Sequence, residues 1–346
     1  MNTEIHLARG RLRDTQWLQS LCKSVASRTV VVSDPAVLNL SARLAHALSA
    51  RLIELPQGGE KIKTRETKEW IEDELLQNGY AKDTLLLAVG GGVTTDLVGF
   101  VAATYCRGIP LILIPTTLLG MVDAAIGAKT AVNTVHGKNM IGALYAPNAV
   151  VIDPEMLDTL SEAQHMHGTA EMLKIALTSD RALLHQIQTR APLDTLIANA
   201  IAAKREVLAH DPLEQGLRRV LNFGHTVGHA LECVSDYAMA HGEAVLLGCI
   251  AESALSCMRG MLPESELAEI LGVYEALPIQ LRLPARYSRD KLFSAMTYDK
   301  KNANGAIRCV LLERIGTAAS FNGAYCTVVS TEELTAVASW MEARYG

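Results

Sequence analysis

Three histidines and one glutamate have residue types and spacings that suit a metal ion. His225 and His229 are four residues apart, so a helix through them would present both imidazoles on one face. His241 follows twelve residues later. Upstream, Glu171 and Lys174 are three residues apart and would share a face of another helix. One carboxylate with two or three imidazoles is a common donor set for catalytic zinc, so these residues favour a divalent metal site.

A glycine cluster, Gly90-Gly91-Gly92, follows a predicted strand and precedes a predicted helix. Glycines let a ligand approach the backbone closely, and the free N–H groups at a helix N-terminus favour a phosphate. The cluster differs from the usual dinucleotide fingerprint, because Thr95 stands at the third glycine position. A tight turn would explain the glycines alone. Because Thr116 and Thr117 end the next strand and could reach the same crevice, we favour nucleotide binding.

Basic residues stand near these candidate sites. Lys129 lies inside the otherwise small and apolar segment 123–129. Basic residues on a helix surface usually form a solvated face. Within an apolar segment, capture of a phosphate or carboxylate is the more natural role. The other basic residues considered for this role are Lys138, Lys174, Lys204, Arg218, Lys300 and Lys301.

Composition narrows the function classes. The 346 residues include 32 basic and 37 acidic ones, giving a formal charge of −5, and 49% are hydrophobic. This length predicts two domains, or one unusually large one, with a sizeable core. The mildly acidic balance argues against a surface that binds nucleic acid or an anionic membrane. We expect neither a secretory signal nor a membrane span. Seven cysteines without close pairs indicate reduced thiols in a cytoplasmic protein.

The first third of the sequence alternates short apolar runs with helical patterns. The segment 64–78 has helical periodicity, with Thr64 as its cap and Gly79 as its end. Strands that alternate with helices predict right-handed crossovers and a parallel, Rossmann-like sheet. The predicted strands are 29–34, 51–56, 84–89 and 111–114.

The pattern changes at about residue 157, where strand-like runs give way to long segments rich in Ala, Leu and Glu. We therefore predict an α/β N-terminal domain over 1–156 and a mostly α-helical C-terminal domain over 157–346, which carries the metal site. A ligand would be expected in the cleft between them. A strand-like stretch returns only near 307–312, and the predicted helical segments are 162–178, 182–210, 216–234, 243–259 and 264–276.

A family signal comes from seven segments: GGGVTTDLVGFVAATYCRG, IPTTLLGMVDAAIGAKTAVN, GKNMIGA, AEMLK, LNFGHTVGHALE, HGEAV and DKKN. With these segments, in this order from about residue 58 to 316, the sequence resembles the 3-dehydroquinate synthase family of sugar phosphate cyclases. Several segments are long and rich in charged residues, so chance similarity is improbable.

The resemblance implies that the N-terminal domain binds NAD and that Glu171, His225 and His241 bind one divalent metal ion, zinc or cobalt. The implied substrate is a small sugar phosphate, 3-deoxy-D-arabino-heptulosonate 7-phosphate. NAD would oxidise its C4 hydroxyl, phosphate would leave by β-elimination, and C4 would be reduced again before an intramolecular aldol closure. The resemblance also implies a homodimer, in which Arg107 reaches the neighbouring subunit's phosphate site.

The resemblance assigns further roles residue by residue. The residues expected to take part in catalysis, with His229 beside the metal and Glu214 behind it in a proton relay, are Asp123, Lys129, Lys174, Lys204, Glu214 and His229. The residues expected to bind substrate are Arg107, Asn139, Arg218, Asn222 and one of the pair Lys300 and Lys301, with Lys300 favoured. The residues expected to bind NAD are Asp34, Glu60, Lys63, Gly91, Gly92, Asp96, Thr116, Thr117, Lys138 and Thr159.

The sequence departs from the family pattern at three places. Ala128 stands where the family commonly has glycine, which would matter if that position needs a positive φ. The pair Asp211-Pro212 replaces the more usual acidic pair, and the segment 165–169 has extra histidines without an assigned role.

Three alternative functions stay open at this point. Another sugar phosphate cyclase, such as 2-deoxy-scyllo-inosose synthase, would act on a substrate without a carboxylate, and Arg218 with Asn222 argues against it. A metal-dependent alcohol dehydrogenase of the glycerol dehydrogenase type would consume NAD, but its small neutral substrate needs no cluster of cations. A non-catalytic binding protein would be expected to have lost a metal ligand first.

Overall fold

The computed structural model describes residues 3–297 and 306–346. These residues divide into two compact units, 1–165 and 166–346. In the described parts of the chain, every helix is too short or too polar to cross a membrane.

The first unit alternates β-strands and α-helices, as the sequence predicts. Its strands are β1 (Glu4–Leu7), β2 (Arg28–Ser33), β3 (Arg51–Glu54), β4 (Thr84–Gly90), β5 (Leu111–Pro115), β6 (Lys129–Thr134), β7 (Gly137–Leu144) and β8 (Ala149–Ile152). Its helices are α1 (Thr15–Val25), α2 (Leu38–Leu48), α3 (Arg65–Gln77) and α4 (Gly92–Thr104).

Six of these strands form one parallel sheet, in the order β1-β8-β5-β4-β2-β3. Every residue of β4 and β5 is buried, as expected of central strands covered on both faces. The predicted α/β fold with a Rossmann-like sheet is therefore confirmed. Because β2, β4 and β5 are neighbours and run in the same direction, the residues that follow them, Asp34, Gly91 and Thr116, lie along one edge of the sheet.

The sequence predicts β2, β3, β4 and β5 but misses β1 and β8 of this sheet and the separate hairpin β6–β7. Both β1 and β8 have only four residues, which makes a pattern hard to recognise, although β3 is equally short. The antiparallel hairpin β6–β7 includes charged, amide and glycine residues, so it lacks the β-branched run that indicates a strand. The helix predicted over 64–78 is present as α3, and the Thr64 side chain caps it by accepting a hydrogen bond from the Thr67 N–H.

The second unit is mostly helical, as predicted. Its helices are α5 (Glu162–Ser179), α6 (Arg181–Gln188), α7 (Leu193–His210), α8 (His225–Val234), α9 (His241–Met258), α10 (Glu264–Glu275), α11 (Arg289–Thr297) and α12 (Thr331–Tyr345). Two small antiparallel sheets accompany them, formed by β9 (Arg308–Cys309), β10 (Leu312–Arg314), β11 (Thr317–Ala318) and β12 (Thr327–Val328).

Two of the predicted helical segments are interrupted. The segment 182–210 divides into α6 and α7, because Pro192 stands at the N-cap of α7 and disfavours helical backbone in the residue before it. The segment 216–234 begins with a 3-10 helix, Leu217–Asn222. Gly224, with φ +75°, then separates that turn from α8 and sets the direction in which α8 begins.

An ion pair links α9 to the start of α12. Arg259 Nε and Nη2 donate to the two Glu333 carboxylate oxygens, at 2.6 and 2.8 Å. Glu333 also completes a capping box with Ser330, which stabilises the first turn of α12. Chiefly because of the Arg259 hydrogen bonds, the pKa of Glu333 falls from 4.5 to about 2.

We predict that Glu333→Gln lowers the free energy of unfolding by about 1 kcal/mol at pH 7, the upper range for a partly exposed pair. Glutamine keeps the capping contacts, so the change removes mainly the charge. A carboxyl whose pKa is lower in the folded state stabilises the protein above pH 4.5 and loses this effect as the pH falls towards 2. Urea unfolding at pH 7, 5 and 3.5 checks this; a gap between the two proteins that does not narrow at pH 3.5 would contradict it.

Candidate active site

A carboxylate and two imidazoles from three helices meet at one point of the second unit. Glu171 lies on α5, His225 is the first residue of α8, and His241 is the first residue of α9. The Glu171 Oε1 atom lies 3.5 Å from His225 Nε2 and 3.4 Å from His241 Nε2. One donor atom from each residue lies within 4.8 Å of the other two. These are three of the residues that the sequence singles out for a metal ion.

Glycines allow the three helices to approach closely enough for this meeting. A Cβ atom at Gly248 of α9 would collide with the backbone carbonyl of Gly224, immediately before α8. At Gly228 of α8, a Cβ would lie 2.9 Å from the carbonyl oxygen of Ala244. At Gly242 of α9, it would lie 2.8 Å from the Cα atom of His167 on α5. Each contact is therefore one of backbone against backbone, and a side chain would separate the helices.

Hydrogen bonds fix the orientation of His225. Its Nδ1 atom lies 3.1 Å from the Phe223 carbonyl oxygen, which can only accept, so Nδ1 carries the proton and Nε2 keeps its lone pair. The Glu252 carboxylate accepts a hydrogen bond of 2.8 Å from the Gly224 N–H, at the N-terminus of α8. The Glu252 side chain is fully buried, and its negative charge suits the positive end of the helix dipole.

The metal donor set combines opposite charges in a buried setting. Burial alone would raise the pKa of Glu171, but the Lys174 ammonium, which donates to it, and His225 hold it well below its ordinary value. Burial lowers the pKa of His225 to about 4. Burial also disfavours the charge on His241, but the Glu171 and Glu232 carboxylates outweigh it and raise that pKa to about 9. At neutral pH, before an ion binds, Glu171 is anionic and His225 is neutral.

The fourth candidate histidine lies beside this set. His229 is exposed, with its ring centroid 5.1 Å from that of His225 and 6.1 Å from that of His241. Donor atoms of His229, Glu232 and His241 form a second group within 4.8 Å of one another. The sequence missed Glu232 as a candidate, although it stands three residues after His229 and so shares its helix face.

Three candidate basic residues of the second unit are buried and are not part of a solvated face. Lys174, Lys204 and Arg218 have relative exposures of only 2%, 5% and 4%. Arg218 Nη1 donates a hydrogen bond of 2.8 Å to the Pro212 carbonyl oxygen. Buried cations are costly unless anionic or acceptor groups face them, and Lys174 has such a partner in Glu171.

One carboxylate organises the loop that carries Arg218. Asp211 accepts hydrogen bonds from the backbone N–H groups of Gln215, Gly216 and Arg218, at 3.0, 2.7 and 3.0 Å. The loop holds Glu214 in the left-handed region, at φ +60°, where Glu214 Oε1 accepts a hydrogen bond of 2.7 Å from the Asn222 amide. Because an aspartate before proline often begins a turn, the sequence signal for Asp211 was present.

In the first unit, the glycine cluster forms the N-terminus of α4. Gly91 is the N-cap, and as a glycine it has no side chain with which to cap the helix. A Cβ atom at Gly91 would lie 3.1 Å from Thr117 Cγ2, and one at Gly92 would lie 3.2 Å from the Ala124 Cβ. The absence of these Cβ atoms leaves the first-turn N–H groups accessible. Nearby, Thr94 Oγ1 donates a hydrogen bond of 3.4 Å to Asp34.

Two residues expected to bind NAD, Lys63 and Asp96, and one expected to bind substrate, Asn139, come together in the first unit. The buried Lys63 ammonium donates to Asp96 Oδ2 at 2.5 Å and to Asn139 Oδ1 at 2.6 Å. Burial raises the pKa of Asp96, and Lys63 opposes this shift. Close by in the chain, Glu60 accepts a hydrogen bond of 2.7 Å from Asn133. The residues expected to bind NAD and the residue expected to bind substrate are thus neighbours here.

The remaining candidates range from buried to exposed. Asp123 is half-buried in a helical turn, Gly120–Ala124, and Lys129 is exposed at the start of β6. Thr116 is buried, Lys138 is half-buried on β7, and Thr159 is exposed. Arg107 is exposed and has φ +63°. Lys300 and Lys301 lie outside the described residues.

The departure at Ala128 coincides with the backbone conformation that glycine favours. Ala128 has φ +59°, next to Gly127 at φ +138°, immediately before Lys129. A left-handed conformation costs a non-glycine residue roughly 1–2 kcal/mol. The alanine methyl group therefore strains this segment.

Comparison with known proteins decides the family. The models described as 3-dehydroquinate synthase N-terminal and C-terminal match residues 53–167 and 168–302. The 3-dehydroquinate synthase of Corynebacterium jeikeium is 38% identical over 306 residues, which cover 85% of this chain and 83% of that relative. The chain belongs to the 3-dehydroquinate synthase family. It is therefore an enzyme of a family of lyases that act on a phosphate ester.

Two solved structures of other cyclases share the architecture. A 2-epi-5-epi-valiolone synthase from Streptomyces hygroscopicus, with NAD+ and Zn2+ bound, is 29% identical, with a TM-score of 0.85 over 99% of this chain and 98% of that one. A 2-deoxy-scyllo-inosose synthase complexed with carbaglucose-6-phosphate, NAD+ and Co2+ is 25% identical, with a TM-score of 0.84 over 96% and 95%. The family assignment rests on the sequence relatives above.

The close contact of α8 and α9 gives a first test. We predict that Gly248→Ala destabilises the protein by about 1–3 kcal/mol and weakens zinc binding, because the added methyl group must push α9 away from Gly224. Gly272→Ala on α10 is the matched control. It has open space for a Cβ and should be neutral or up to about 1 kcal/mol stabilising. Thermal unfolding and zinc titration check both variants; equal behaviour of the two would contradict the role of the contact.

The strain at Ala128 gives a second test. We predict that Ala128→Gly raises the free energy of unfolding by up to about 1 kcal/mol, because relief of the left-handed strain exceeds the entropy that glycine adds to the unfolded chain. The control is Ala131→Gly in β6, which should lose about 0.5–1 kcal/mol because it has no strain to relieve. Urea unfolding of both variants measures the difference, and destabilisation by both would show that Ala128 carries no strain.

Proposed function

We propose that this chain converts 3-deoxy-D-arabino-heptulosonate 7-phosphate into 3-dehydroquinate and inorganic phosphate. The observation that carries the proposal is that, in a chain of this family, one unit holds both a three-residue metal donor set and three buried cations. A sugar acid phosphate has two anionic groups that such cations can bind.

Glu171, His225 and His241 fit a divalent ion. Their donor atoms lie within 4.8 Å of one another, and His225 already presents an unprotonated Nε2. A carboxylate with two imidazoles suits zinc and also cobalt, with positions left for substrate oxygens. When bound, the ion would polarise those oxygens as a Lewis acid.

The first unit fits NAD. The uncapped N-terminus of α4 offers free N–H groups next to two glycines, an arrangement suited to a pyrophosphate. Lys63, which precedes α3, is buried and donates to Asp96 on α4, and Asp34 and Thr116 lie along the same edge of the sheet. When bound, NAD would accept a hydride and return it within one turnover.

The chain's own cations would bind and orient the substrate. Arg218 presents a planar guanidinium suited to a carboxylate, and the loop around Asp211 fixes its backbone. Lys174 and Lys204 would hold further substrate oxygens, with Lys129 and Lys300 as additional candidates. Because the second unit buries Lys174, Lys204 and Arg218, their charges are little screened by water.

His229 is the residue best placed to move protons. It is exposed and adjacent to two imidazoles of the donor set, so it can exchange protons with water as well as with a bound substrate. Glu214, held by Asn222, would support it. Asp123 would contact a substrate hydroxyl.

We also propose a cytoplasmic homodimer. All seven cysteines are free thiols, as expected in a reducing compartment. Arg107 is an exposed cation held, with Cys106, in a left-handed conformation, and such strain often marks a functional residue. Its proposed role is to reach the phosphate site of a second copy of the chain.

A phosphate-release assay tests the proposed function. The purified enzyme is given the heptulosonate phosphate or glucose 6-phosphate, each with and without added NAD and a chelator. We expect phosphate release from the heptulosonate phosphate alone, its loss with chelator, and no net accumulation of NADH. Release only from glucose 6-phosphate would instead indicate an inosose synthase, and stoichiometric NADH would indicate a dehydrogenase.

We predict that Arg218→Ala raises KM and lowers kcat/KM about 10- to 100-fold, because a charge-assisted contact worth about 1.5–3 kcal/mol is lost. Arg218→Lys should recover part of the loss, since it keeps the charge but not the planar fork. The neighbouring Arg219→Ala is the matched control and should have ordinary kinetics. Steady-state kinetics decide the matter, and equal effects at 218 and 219 would remove Arg218 from the binding site.

We predict that His241→Ala abolishes zinc retention and turnover, because the two remaining protein ligands bind an ion weakly. His185→Ala removes an exposed histidine from α6 and serves as the control. Metal analysis after gel filtration should find one zinc per chain in the control and almost none in the His241 variant. Full metal content in both proteins would contradict the ligand assignment.

A further inference from the structure

The two ring nitrogens of His241 face two different carboxylates. His241 Nε2 lies 3.4 Å from Glu171 Oε1, on the side of His225. His241 Nδ1 lies 3.5 Å from Glu232 Oε2 on α8. Only one ring nitrogen of a neutral imidazole has a free lone pair at a time, so the group bound at one nitrogen determines what the other can do.

Glu232 is buried in the second unit. Its relative exposure is 3%, whereas His229, three residues earlier on the same helix, is exposed. A carboxylate removed from water is costly unless it meets a positive charge or a hydrogen-bond donor. The His241 Nδ1 atom provides such a partner, from a separate helix.

We propose that Glu232 is a positioning residue for the metal ligand His241. When an ion is bound, the Glu232 carboxylate holds the proton on Nδ1, so that Nε2 offers its lone pair on the side of Glu171 and His225. This inference rests on the metal site in the proposed function and assigns a role to a residue outside the donor set.

The two ligand histidines are then oriented by different devices. His225 places its Nδ1 proton on the Phe223 carbonyl oxygen, a neutral acceptor on its own chain segment. His241 has a carboxylate from α8 at the equivalent nitrogen. A carboxylate makes the imidazole a stronger donor to an ion than a neutral acceptor does, because it stabilises positive charge on the ring.

His229, Glu232 and His241 could alternatively bind an ion of their own, because their donor atoms also lie within 4.8 Å of one another. His241 is common to both groups. In that arrangement, Glu232 would be a ligand, and the protein would bind two ions. In the arrangement proposed here, it binds one ion and Glu232 does not contact it.

Metal binding by Glu232→Gln tests the inference without depending on turnover. Zinc affinity is measured by competition with a chromophoric chelator, the stoichiometry by metal analysis, and the ligand geometry by the visible spectrum of the cobalt-loaded protein. We expect one ion per chain in both proteins, a zinc Kd raised about 10- to 100-fold in the variant, and altered cobalt bands. Asp236→Asn, which removes an exposed carboxylate just beyond α8, should match the wild type in all three.

Two results would overturn the proposal. One is an unchanged zinc Kd and cobalt spectrum in Glu232→Gln. The other is two ions bound by the wild-type protein, of which the variant loses one.

The zinc-loaded wild type provides a second measurement, which is independent of whether the variant folds. A long-range ¹⁵N-histidine correlation spectrum should show His241 with its proton on Nδ1, and a proton on Nε2 would contradict the proposal. If the wild-type protein lacks the lyase activity but Glu232→Gln still weakens zinc binding, the proposed function alone is refuted. If the wild-type protein has the lyase activity and Glu232→Gln binds zinc with unchanged affinity, this inference alone is refuted.

Discussion

The backbone contact between α8 and α9 is the constraint on which the candidate metal centre depends. His225 and His241 are the first residues of these helices, so the separation of the helices sets the separation of the imidazoles. Gly248 packs against Gly224, and Gly242 packs α9 against α5, where Glu171 lies. Larger side chains at these positions would move the three donors apart without changing any donor. The buried Glu252 carboxylate, bonded to the Gly224 N–H, anchors the same contact.

Sequence patterns predicted the fold where they were long or strongly apolar. The buried strands β4 and β5 and the capped helix α3 are in this class, and so is the change to helices in the second unit. The patterns failed where only a few residues carry the signal. β1 and β8 have four residues each, and the hairpin β6–β7 has a mixed pattern in which only Thr130 and Val132 are buried. Pro192 was visible in the sequence, but the helical pattern on both sides of it masked the break that it makes.

For the site, residue types and spacing identified Glu171 and three histidines, and the family resemblance selected Glu171, His225 and His241 as the metal ligands. The structure brings the donor atoms of these three together. The same reasoning could not distinguish buried cations from solvated ones. Burial of Lys174, Lys204 and Arg218 depends on contacts between segments far apart in the chain. The sequence also missed Asp211 and Glu232, because each acts on another group: Asp211 organises the loop that carries Arg218, and Glu232 is proposed to orient His241. The positive φ at Ala128, by contrast, falls at a position where the family pattern commonly has glycine.

The most direct test of this account is the position of a metal ion in crystals of the zinc-loaded protein, located from anomalous scattering at the zinc edge. We expect a single peak in the second unit, about 2.0–2.2 Å from a Glu171 oxygen and from the Nε2 atoms of His225 and His241. A peak bound by His229 and Glu232 instead, or the absence of a peak beside Glu171 in a zinc-loaded and active enzyme, would contradict it.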